Sequence, residues 1–597
     1  MFLRSTRRIK DGKEHRYFSI VESRRVSSSR NPVQRPVLYL GEINDSQKEA
    51  WRKTLEVFDE NSQRYRPMSL FPEDREIPVE SVDSIQVKLS EIKLENARAY
   101  GDCWLGCHLW RQLKLDEFWK EQFGQGREGV PWDQVLELLV VNRLIDPGSE
   151  FRVHRLWFVQ SAMADLLGAD FAVAAKDRLY RCLDRLLAHK QTLFQHLRQR
   201  WQDLFQAQYE VLLYDLTSTY FEGDAELIPK ARFGHSRDKR SDCRQVVIAL
   251  VITPDGFPLA YEVMDGNTSD KTTLRGFLSQ IETAYGKAHR VWVMDRGIPT
   301  KAVLEEMRKW ETPVSYLVGA PRAQLKQMEA KWLELPWRNV RDSVQVKLMA
   351  EDGELYVLAK SEGRNAKERA MRRKKLVRLL LKLRAMRKSC PSRDQLLMRL
   401  GSAKKDAGRA YHFVDIKVPA AKQAVTKESF QFSLNKTKLK EAEMRDGHYL
   451  LRSNLVAEDP AVLWERYMQL TQIEAAFKNL KSDLGIRPIH HQKADRVEAH
   501  LFVAFMAYCL SVTLKNRLHA YAPGLTPKAV LESMAKIQMI DVSFPTTDGR
   551  RLVMPRYTEP EPEQKILLHK LKLRLPDQPP PRIGNTSQEM PKELMKM

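Results

Sequence analysis

The chain has 597 residues, of which 43% are hydrophobic and 9% aromatic, and this excludes a wholly disordered or collagen-like protein. Its 99 Lys and Arg residues outnumber its 77 Asp and Glu residues, which leaves a formal charge of +22. An excess of this size indicates a polyanionic partner, because cations that neutralise phosphates release condensed counterions, whereas a surface that only aids solubility is the alternative.

The first third of the chain changes from strand-like to helical patterning. Residues 1–95 combine short strand patterns with many basic side chains, so we expect a basic, β-rich region and a linker there. From 96 to 208 apolar residues recur at helical spacing, as at Trp132, Leu136 and Leu144. We therefore expect a helical domain in this second segment.

A sheet pattern begins at residue 211. The run 211–216 is apolar except for Asp215, which is typical of a strand buried on both faces. A hairpin is predicted next, with strands at 245–252 and 259–263 around a Pro-Asp-Gly turn. Helices then alternate with strands, and one strand ends at Asp295. This order predicts an α/β sheet with two aspartates at strand ends.

Between residues 322 and 460 strand-like segments surround one very basic helix. Residues 364–388 contain twelve Lys or Arg and a single acidic residue, Glu368. The apolar residues of this helix form one stripe, so the cations occupy the opposite face. Their mutual repulsion favours contact with phosphate over a merely solvated surface.

A third carboxylate, Glu474, lies in a segment with helical patterning. At about 100° per residue, one helix face would carry five side chains: Tyr467, Leu470, Glu474, Lys478 and Lys481. A strand-end aspartate alone is often only a turn former, and a lone helix glutamate is usually on the surface. Three carboxylates on rigid elements together indicate a divalent-cation site.

The longest apolar run, 501–514, is too short to span a bilayer, so we expect a buried core helix and no membrane association. The six cysteines are scattered along the chain, as is usual in a reducing compartment. We therefore expect a cytoplasmic protein.

Three carboxylates in this order resemble those of the DDE transposases of bacterial insertion sequences: Asp215, Asp295 and Glu474. The segment around Glu474 resembles the branch named for its Tyr-x2-Arg-x3-Glu-x6-Lys signature, insertion-sequence family four. Tyr467 and Lys481 match that signature, whereas Leu470 stands at its arginine position.

The resemblance implies a ribonuclease-H-like α/β catalytic core, interrupted by a mainly β insertion domain and preceded by a helical DNA-binding region. Helical domains that bind only protein have the same sequence pattern. The expected divisions are 1–95 as the basic β-rich region, 96–208 as the DNA-end-binding domain, 209–321 as the first part of the core, 322–460 as the insertion domain with the basic helix, 461–520 as the second part of the core, and 521–597 as a C-terminal region with a disordered tail.

The resemblance also implies the chemistry. The three carboxylates would hold two divalent ions, Mg²⁺ or alternatively Mn²⁺, and would cleave DNA at the element ends. Strand transfer into target DNA would follow, through a hairpin intermediate in this branch. The expected DNA-binding residues are Tyr467, Lys478, Lys481, Arg296 and Arg487. Either Lys478 or Arg466 would replace the missing arginine, or the hairpin step would be altered. Lys478 is the better placed of the two cations.

The expected partners are double-stranded DNA, in the form of terminal inverted repeats and target DNA, and a second copy of the chain in the DNA complex. Binding to DNA would place the protein on the bacterial nucleoid. Two alternatives remain open at this stage: a metal-dependent nuclease of the same fold that cuts without joining, and a DNA-binding protein that retains the fold without chemistry.

Overall fold

The structure is a computed structural model. The residues that it describes are 2–10, 13–24, 33–41, 48, 56–59, 64–67, 75–76, 87–124, 130–268, 274–285, 290–295, 299, 301–309, 314–320, 335–341, 344–351, 353–421, 423–455, 459–546 and 550–585.

The chain forms two compact units. Unit one comprises Met1–Gln208, Leu216–Thr268 and Gln472–Met597, and unit two comprises Tyr209–Asp215 and Ser269–Thr471. The expected order of six consecutive segments differs from this division, because unit one gathers three separate stretches of the chain.

Short strands precede a helical block in the N-terminal part. The strands are β1 Phe2–Lys10, β2 Lys13–Arg24, β3 Val33–Gly41, β4 Glu56–Asp59, β5 Arg64–Pro67, β6 Arg75–Glu76 and β7 Lys93–Ala99. The helices are α1 Gly101–Gln112, α2 Leu115–Phe123, α3 Trp132–Ile145, α4 Glu150–Arg152, α5 Phe158–Gln160, α6 Met163–Leu167, α7 Lys176–Leu183 and α8 Lys190–Phe205.

Strands and helices alternate in the central part. Up to residue 320 these elements are β8 Val211–Tyr220, β9 Gln245–Ile252, β10 Pro258–Asp265, α9 Leu274–Tyr285, β11 Val291–Met294, α10 Lys301–Lys309 and β12 Ser315–Gly319. Beyond it they are β13 Arg338–Arg341, β14 Val344–Glu351, β15 Glu354–Ser361, α11 Glu362–Ser389, α12 Arg393–Ala407, β16 Val414–Lys417, β17 Gln431–Leu434, α13 Lys436–Met444, β18 His448–Ser453 and α14 Pro460–Met468.

The remaining elements are α15 Leu470–Lys478, α16 Ala494–Tyr521, α17 Pro527–Met534, β19 Gln538–Pro545, β20 Arg550–Tyr557, α18 Pro562–Lys570 and β21 Arg582–Asn585. Strand β21 pairs with β20 inside the C-terminal region in which we expected a disordered tail. The tail prediction was wrong for this stretch, because backbone pairing with a distant strand is not visible in local composition. Residues 586–597 lie outside the described part of the chain.

In unit one, helix α16 is the centre of the core. It packs against α1, α3, α7 and α17, and every residue from Leu501 to Leu514 is buried, as predicted. By length and composition α16 could cross a membrane, yet 94% of its most apolar stretch is buried inside the protein, as in the core helix of a globular protein. A sheet of order β6-β21-β20-β19-β7 joins N-terminal and C-terminal strands of this unit.

The predicted hairpin of unit one is present as the antiparallel pair β9 and β10. All eight residues of β9 are buried. The second half of β8 lies beside β9 in the strand order.

Unit two is built on a mixed sheet of order β8-β11-β12-β18-β15-β14-β13, in which β8 contributes its first half. The pairs β8–β11 and β11–β12 are parallel, and the pairs from β12 to β13 are antiparallel. Helix α14 packs against β11, β12, β14 and β15 of this sheet. The protein is therefore a mixed α/β structure, as predicted.

The prediction of a mainly β insertion domain at 322–460 was wrong. The longest elements of this segment are two helices, α11 with 28 residues and α12 with 15 residues, which share a hydrophobic cluster. Its strands β18 and β15 extend the sheet that contains β12 and do not form a domain of their own. Sequence patterns predict single strands, but the choice of pairing partner depends on contacts between distant residues.

Candidate active site

Asp215 and Asp295 occupy neighbouring positions in unit two. Strands β8 and β11 are parallel, and Tyr214 is in register with Met294. Each aspartate follows directly after one of these two residues, so the pair takes the next register position on strands about 4.8 Å apart. Asp215 is half-buried and Asp295 is exposed. The sheet thus places the two predicted carboxylates side by side.

The strands that carry these carboxylates are rigid because their apolar residues are buried. Tyr214, Val293 and Met294 are fully buried. The Tyr214 ring packs against Phe277 and Trp292, with ring centroids 5.4 and 6.3 Å apart. Asp215 interrupts the apolar run within β8. Asp295 follows directly after Met294, the last residue of β11.

Tyr467 belongs to the same unit and contacts the second aspartate. Its hydroxyl donates a hydrogen bond to Oδ1 of Asp295 at 3.3 Å. Asp459 caps the N-terminus of helix α14, because its side chain accepts a hydrogen bond from the backbone N–H of Ala461, and Pro460 lies in the first turn. The packing of α14 on the sheet therefore brings the signature tyrosine to the aspartate.

Glu474 belongs to unit one and is exposed on α15. An apolar stripe lies beside it, because Ile473, Phe477 and Leu480 are buried. Lys478, one turn further on, is exposed as well. Among the residues that the structure describes, neither Glu474 nor Lys478 makes a side-chain hydrogen bond or ion pair. Both are accessible to a ligand.

The prediction of one continuous helix face from Tyr467 to Lys481 was wrong in two places. Helix α14 ends at Met468 before α15 begins, and a π-turn replaces the α-helix at Asn479–Asp483. A π-turn holds more residues than an α-turn, so Lys481 leaves the position expected seven residues after Glu474. Leu470 is only 9% exposed and belongs to the core.

The predicted DNA-binding residues Lys481 and Arg487 share one acidic partner. Lys481 Nζ lies 2.9 Å from Oδ1 of Asp238, and Arg487 Nη1 donates to the same oxygen. Burial lowers the pKa of Lys481, as do the charges of Arg487 and Arg237, whereas the Asp238 carboxylate opposes that change. Sequence reasoning missed Asp238, because it lies in a loop without periodic pattern, more than 240 residues from Lys481.

Arg296, the remaining predicted DNA-binding residue, lies outside the described residues. The structure therefore brings together Asp215, Asp295 and Tyr467 in unit two. In unit one it brings Lys481 and Arg487 together, with Glu474 and Lys478 exposed on the helix that precedes them.

A separate cluster in unit one joins Glu150, His491 and His500, whose ligand atoms lie within 4.8 Å of one another. Arg143 Nη2 lies 3.3 Å from Nδ1 of His500. Since a guanidinium only donates, Nδ1 accepts and Nε2 carries the proton of the neutral ring. That nitrogen has no lone pair for a cation, and the buried Arg143 charge opposes one. The arrangement at His500 therefore does not favour a cation, and we interpret this cluster as structural.

A comparison with protein-family models finds one family that matches the part of the chain with the three carboxylates. Residues 206–510 match the family described as transposase DDE domain, a span that covers more than half of the chain and includes Asp215, Asp295 and Glu474. Among curated proteins, none matches the chain at a significant level.

Among solved structures, the chain is similar to the piggyBac transposase in a synaptic complex with hairpin DNA. The two share 8% sequence identity over 76% of this chain and 82% of that one, with a TM-score of 0.34. This likeness is too remote to transfer the contacts of that complex. The family match covers the strands and the helix that carry all three carboxylates. The chain therefore belongs to the transposase DDE domain family, and it is an enzyme that acts on DNA.

Proposed function

We propose that this transposase cuts DNA at the ends of an insertion sequence and joins those ends to target DNA. Asp215, Asp295 and Glu474 would be its metal ligands. The observation that carries the proposal is the side-by-side placement of Asp215 and Asp295 on parallel strands, within the span that matches the family.

The two aspartates fit a divalent cation. Neighbouring carboxylates repel each other in the ionised state, and a cation between them removes that cost. Oxygen ligands on rigid strands suit Mg²⁺, with Mn²⁺ as an alternative. Bound as a pair, such ions would supply activation of the attacking oxygen and stabilisation of the leaving 3′ oxygen. Glu474, exposed on α15, would complete the ligand set.

The remaining residues would hold the DNA and orient the carboxylates. Tyr467 restrains the Asp295 carboxylate through its hydrogen bond. Lys478 is exposed one turn beyond Glu474 and would contact a backbone phosphate in place of the arginine that Leu470 replaces. Lys481 and Arg487 would contact a phosphate together, and Arg296 is proposed from its sequence position alone.

The finer features belong to the same proposal. The chain order of a carboxylate-bearing strand, an antiparallel hairpin and two further parallel strands supports a ribonuclease-H-like core. The three matching signature positions support the Tyr-Arg-Glu-Lys branch and its hairpin intermediate. The proposed partners are terminal inverted repeats, target DNA and, in the DNA complex, a second copy of the chain. Residues 96–208 would bind the element ends. The protein would be cytoplasmic and would join the nucleoid when it binds DNA.

A strand-transfer assay tests the proposal. The full chain is incubated with Mg²⁺, target plasmid and a duplex that ends in the pre-cleaved inverted repeat flanking its coding region. Joined product supports transposition. Cut target without joined product would support a nuclease of the same fold, and intact DNA with tight binding would support a protein without chemistry.

A further inference from the structure

The loop between β8 and β9 carries a buried carboxylate into the group of proposed DNA-binding cations. The Asp238 side chain is 6% exposed, and its Oδ1 accepts hydrogen bonds from Lys481 and Arg487. Its Oδ2 is buried and has no hydrogen-bond partner within the described part of the chain. A buried carboxylate is costly unless it is paired, so this placement is specific.

The loop and the cations are attached to the same strand of unit one. The backbone N–H of Arg237 donates to Oγ of Ser218 on β8 at 3.2 Å, and Ser218 is 2% exposed. Thr219, the next residue of β8, donates through Oγ1 to the carbonyl of Ile486 at 3.3 Å. Asp238 and Arg487 are therefore each next to a residue that is fixed to β8.

The segment after the π-turn has further attachments to β8. The backbone N–H of Ile489 donates to the carbonyl of Tyr220 at 2.9 Å, and the N–H of Glu222 donates to the carbonyl of Ile489 at 2.9 Å. Hydrogen bonds to one strand therefore hold the backbone on both sides of the Asp238 cluster.

Two cations in this cluster depend on one carboxylate oxygen. Lys481 and Arg487 share a single carboxylate, and Arg237 adds a third cation that acts on Lys481. Lys481 has three donor hydrogens and Arg487 has five, so one contact each with Asp238 leaves donors for another anion. For a transposase, this second anion would be a phosphate of the bound DNA.

We propose that Asp238 is a positioning residue that fixes Lys481 and Arg487 as a pair of cations for one DNA phosphate. This proposal rests on the proposed function, since it assumes that both cations contact DNA. Asp238 itself does not touch the DNA. The shared oxygen brings both cations to one point, and its negative charge raises the pKa of Lys481 against the lowering effects of burial and the neighbouring arginines.

The first experiment measures Lys481 without DNA. Competitive acetylation with acetic anhydride over a range of pH, followed by mass spectrometry of the full chain, reports the neutral fraction of each lysine. In Asp238→Asn we expect Lys481 to react about tenfold faster near neutral pH, because the amine loses a charged hydrogen-bond partner. Asp242→Asn is the matched control, as Asp242 lies in the same loop, pairs with Arg240 and is exposed.

The second experiment measures DNA binding. Wild-type affinity for a labelled duplex of the inverted repeat should stay level between about pH 7 and about pH 9, whereas that of Asp238→Asn should fall about tenfold as Lys481 loses its proton. The salt dependence of the variant should drop by about one phosphate contact at the higher pH. Adding Lys481→Arg to Asp238→Asn should restore a level profile, since arginine stays charged.

The outcomes separate this inference from the proposed function. Unchanged Lys481 reactivity together with a wild-type pH profile in Asp238→Asn would overturn the inference. Failure of the wild type to bind the duplex would overturn the proposed function and leave the acetylation result intact. If Asp238→Asn does not fold, Asp238→Glu replaces it: we expect wild-type Lys481 reactivity but weaker DNA binding at every pH. Wild-type DNA affinity in Asp238→Glu would refute the positioning role.

Discussion

The hydroxyl of Tyr467 donates a hydrogen bond to Oδ1 of Asp295, 172 residues earlier in the chain, at 3.3 Å. The contact links the first residue of the signature segment to the second proposed metal ligand. One oxygen of Asp295 is therefore restrained by the protein itself. A carboxylate held in this way needs less reordering when a cation binds.

The first prediction concerns this hydrogen bond. In Tyr467→Phe we expect the Mg²⁺ concentration for half-maximal DNA cleavage to rise about tenfold, because a hydrogen bond to a charged group contributes about 1.5 kcal/mol or more. End binding should change little. Tyr411→Phe, in the hydrophobic cluster of α11 and α12, is the control. Equal metal dependence of the Tyr467 variant and the wild type would show that the hydroxyl does not orient the ligand.

The three carboxylates carry the second prediction. Replacement of Asp215, Asp295 or Glu474 by alanine should reduce Mg²⁺-dependent cleavage at least about a thousandfold, while gel-shift binding of the element end remains. Asp265→Ala is the control, since Asp265 is an exposed aspartate at the end of β10 and, like Asp295, closes the apolar run of its strand. A variant among the three that cuts at the wild-type rate would exclude that residue as a metal ligand.

Leu470 provides the third prediction. Restoring the signature arginine with Leu470→Arg should lower stability by about 3 kcal/mol or more, because the side chain is buried and the new charge would lack a partner. Thr471→Arg, at the exposed neighbouring position, should melt like the wild type. Thermal unfolding followed by circular dichroism makes the comparison. Tighter DNA binding by a stable Leu470→Arg protein would instead indicate that this position faces DNA.

Glu137 gives a prediction about pH. Burial in α3 raises its pKa to about 7 from an ordinary value of 4.5, although the Arg111 charge opposes the rise. The folded state thus binds the proton more tightly than the unfolded state, so its stability falls as the pH rises from about 4.5 to about 7. The loss would approach 3 kcal/mol.

The variant Glu137→Gln tests whether stability falls as the pH rises. Glutamine does not titrate, so the melting temperature of the variant should lose less than that of the wild type between those two pH values. Glu117→Gln on α2, an exposed position, should follow the wild-type profile. Parallel profiles for Glu137→Gln and the wild type would mean that folding does not raise the pKa of Glu137.

The sequence predicts elements whose signal is local. Strand β8 was identified from an apolar run around Asp215, and α16 from the apolar segment 501–514, since burial on all sides leaves a continuous hydrophobic pattern. Both aspartates were expected at strand ends: Asp295 directly follows β11, whereas Asp215 lies within β8, so that prediction was wrong for Asp215. The strands that carry the two aspartates were therefore predictable, but the end of β8 was not.

Contacts between distant segments were not predictable. Nothing near Asp238 indicates that it pairs with Lys481, and the π-turn at Asn479–Asp483 leaves no distinct mark in the helical pattern. The segment 322–460 was misjudged for the same reason, as its short strands gave no sign that they extend the core sheet. Pairing of this kind is decided by the assembled fold.

The neighbour of β12 in the sheet of unit two is β18, which the ribosome makes only after α11, α12 and α13. Until His448–Ser453 emerges, the edge of β12 has no partner, and an unpaired edge strand invites aggregation. The sheet must close by a contact of long sequence separation, which is slow to form. A copy of the gene that stops before this strand is therefore expected to yield an insoluble fragment rather than a competing DNA-binding protein.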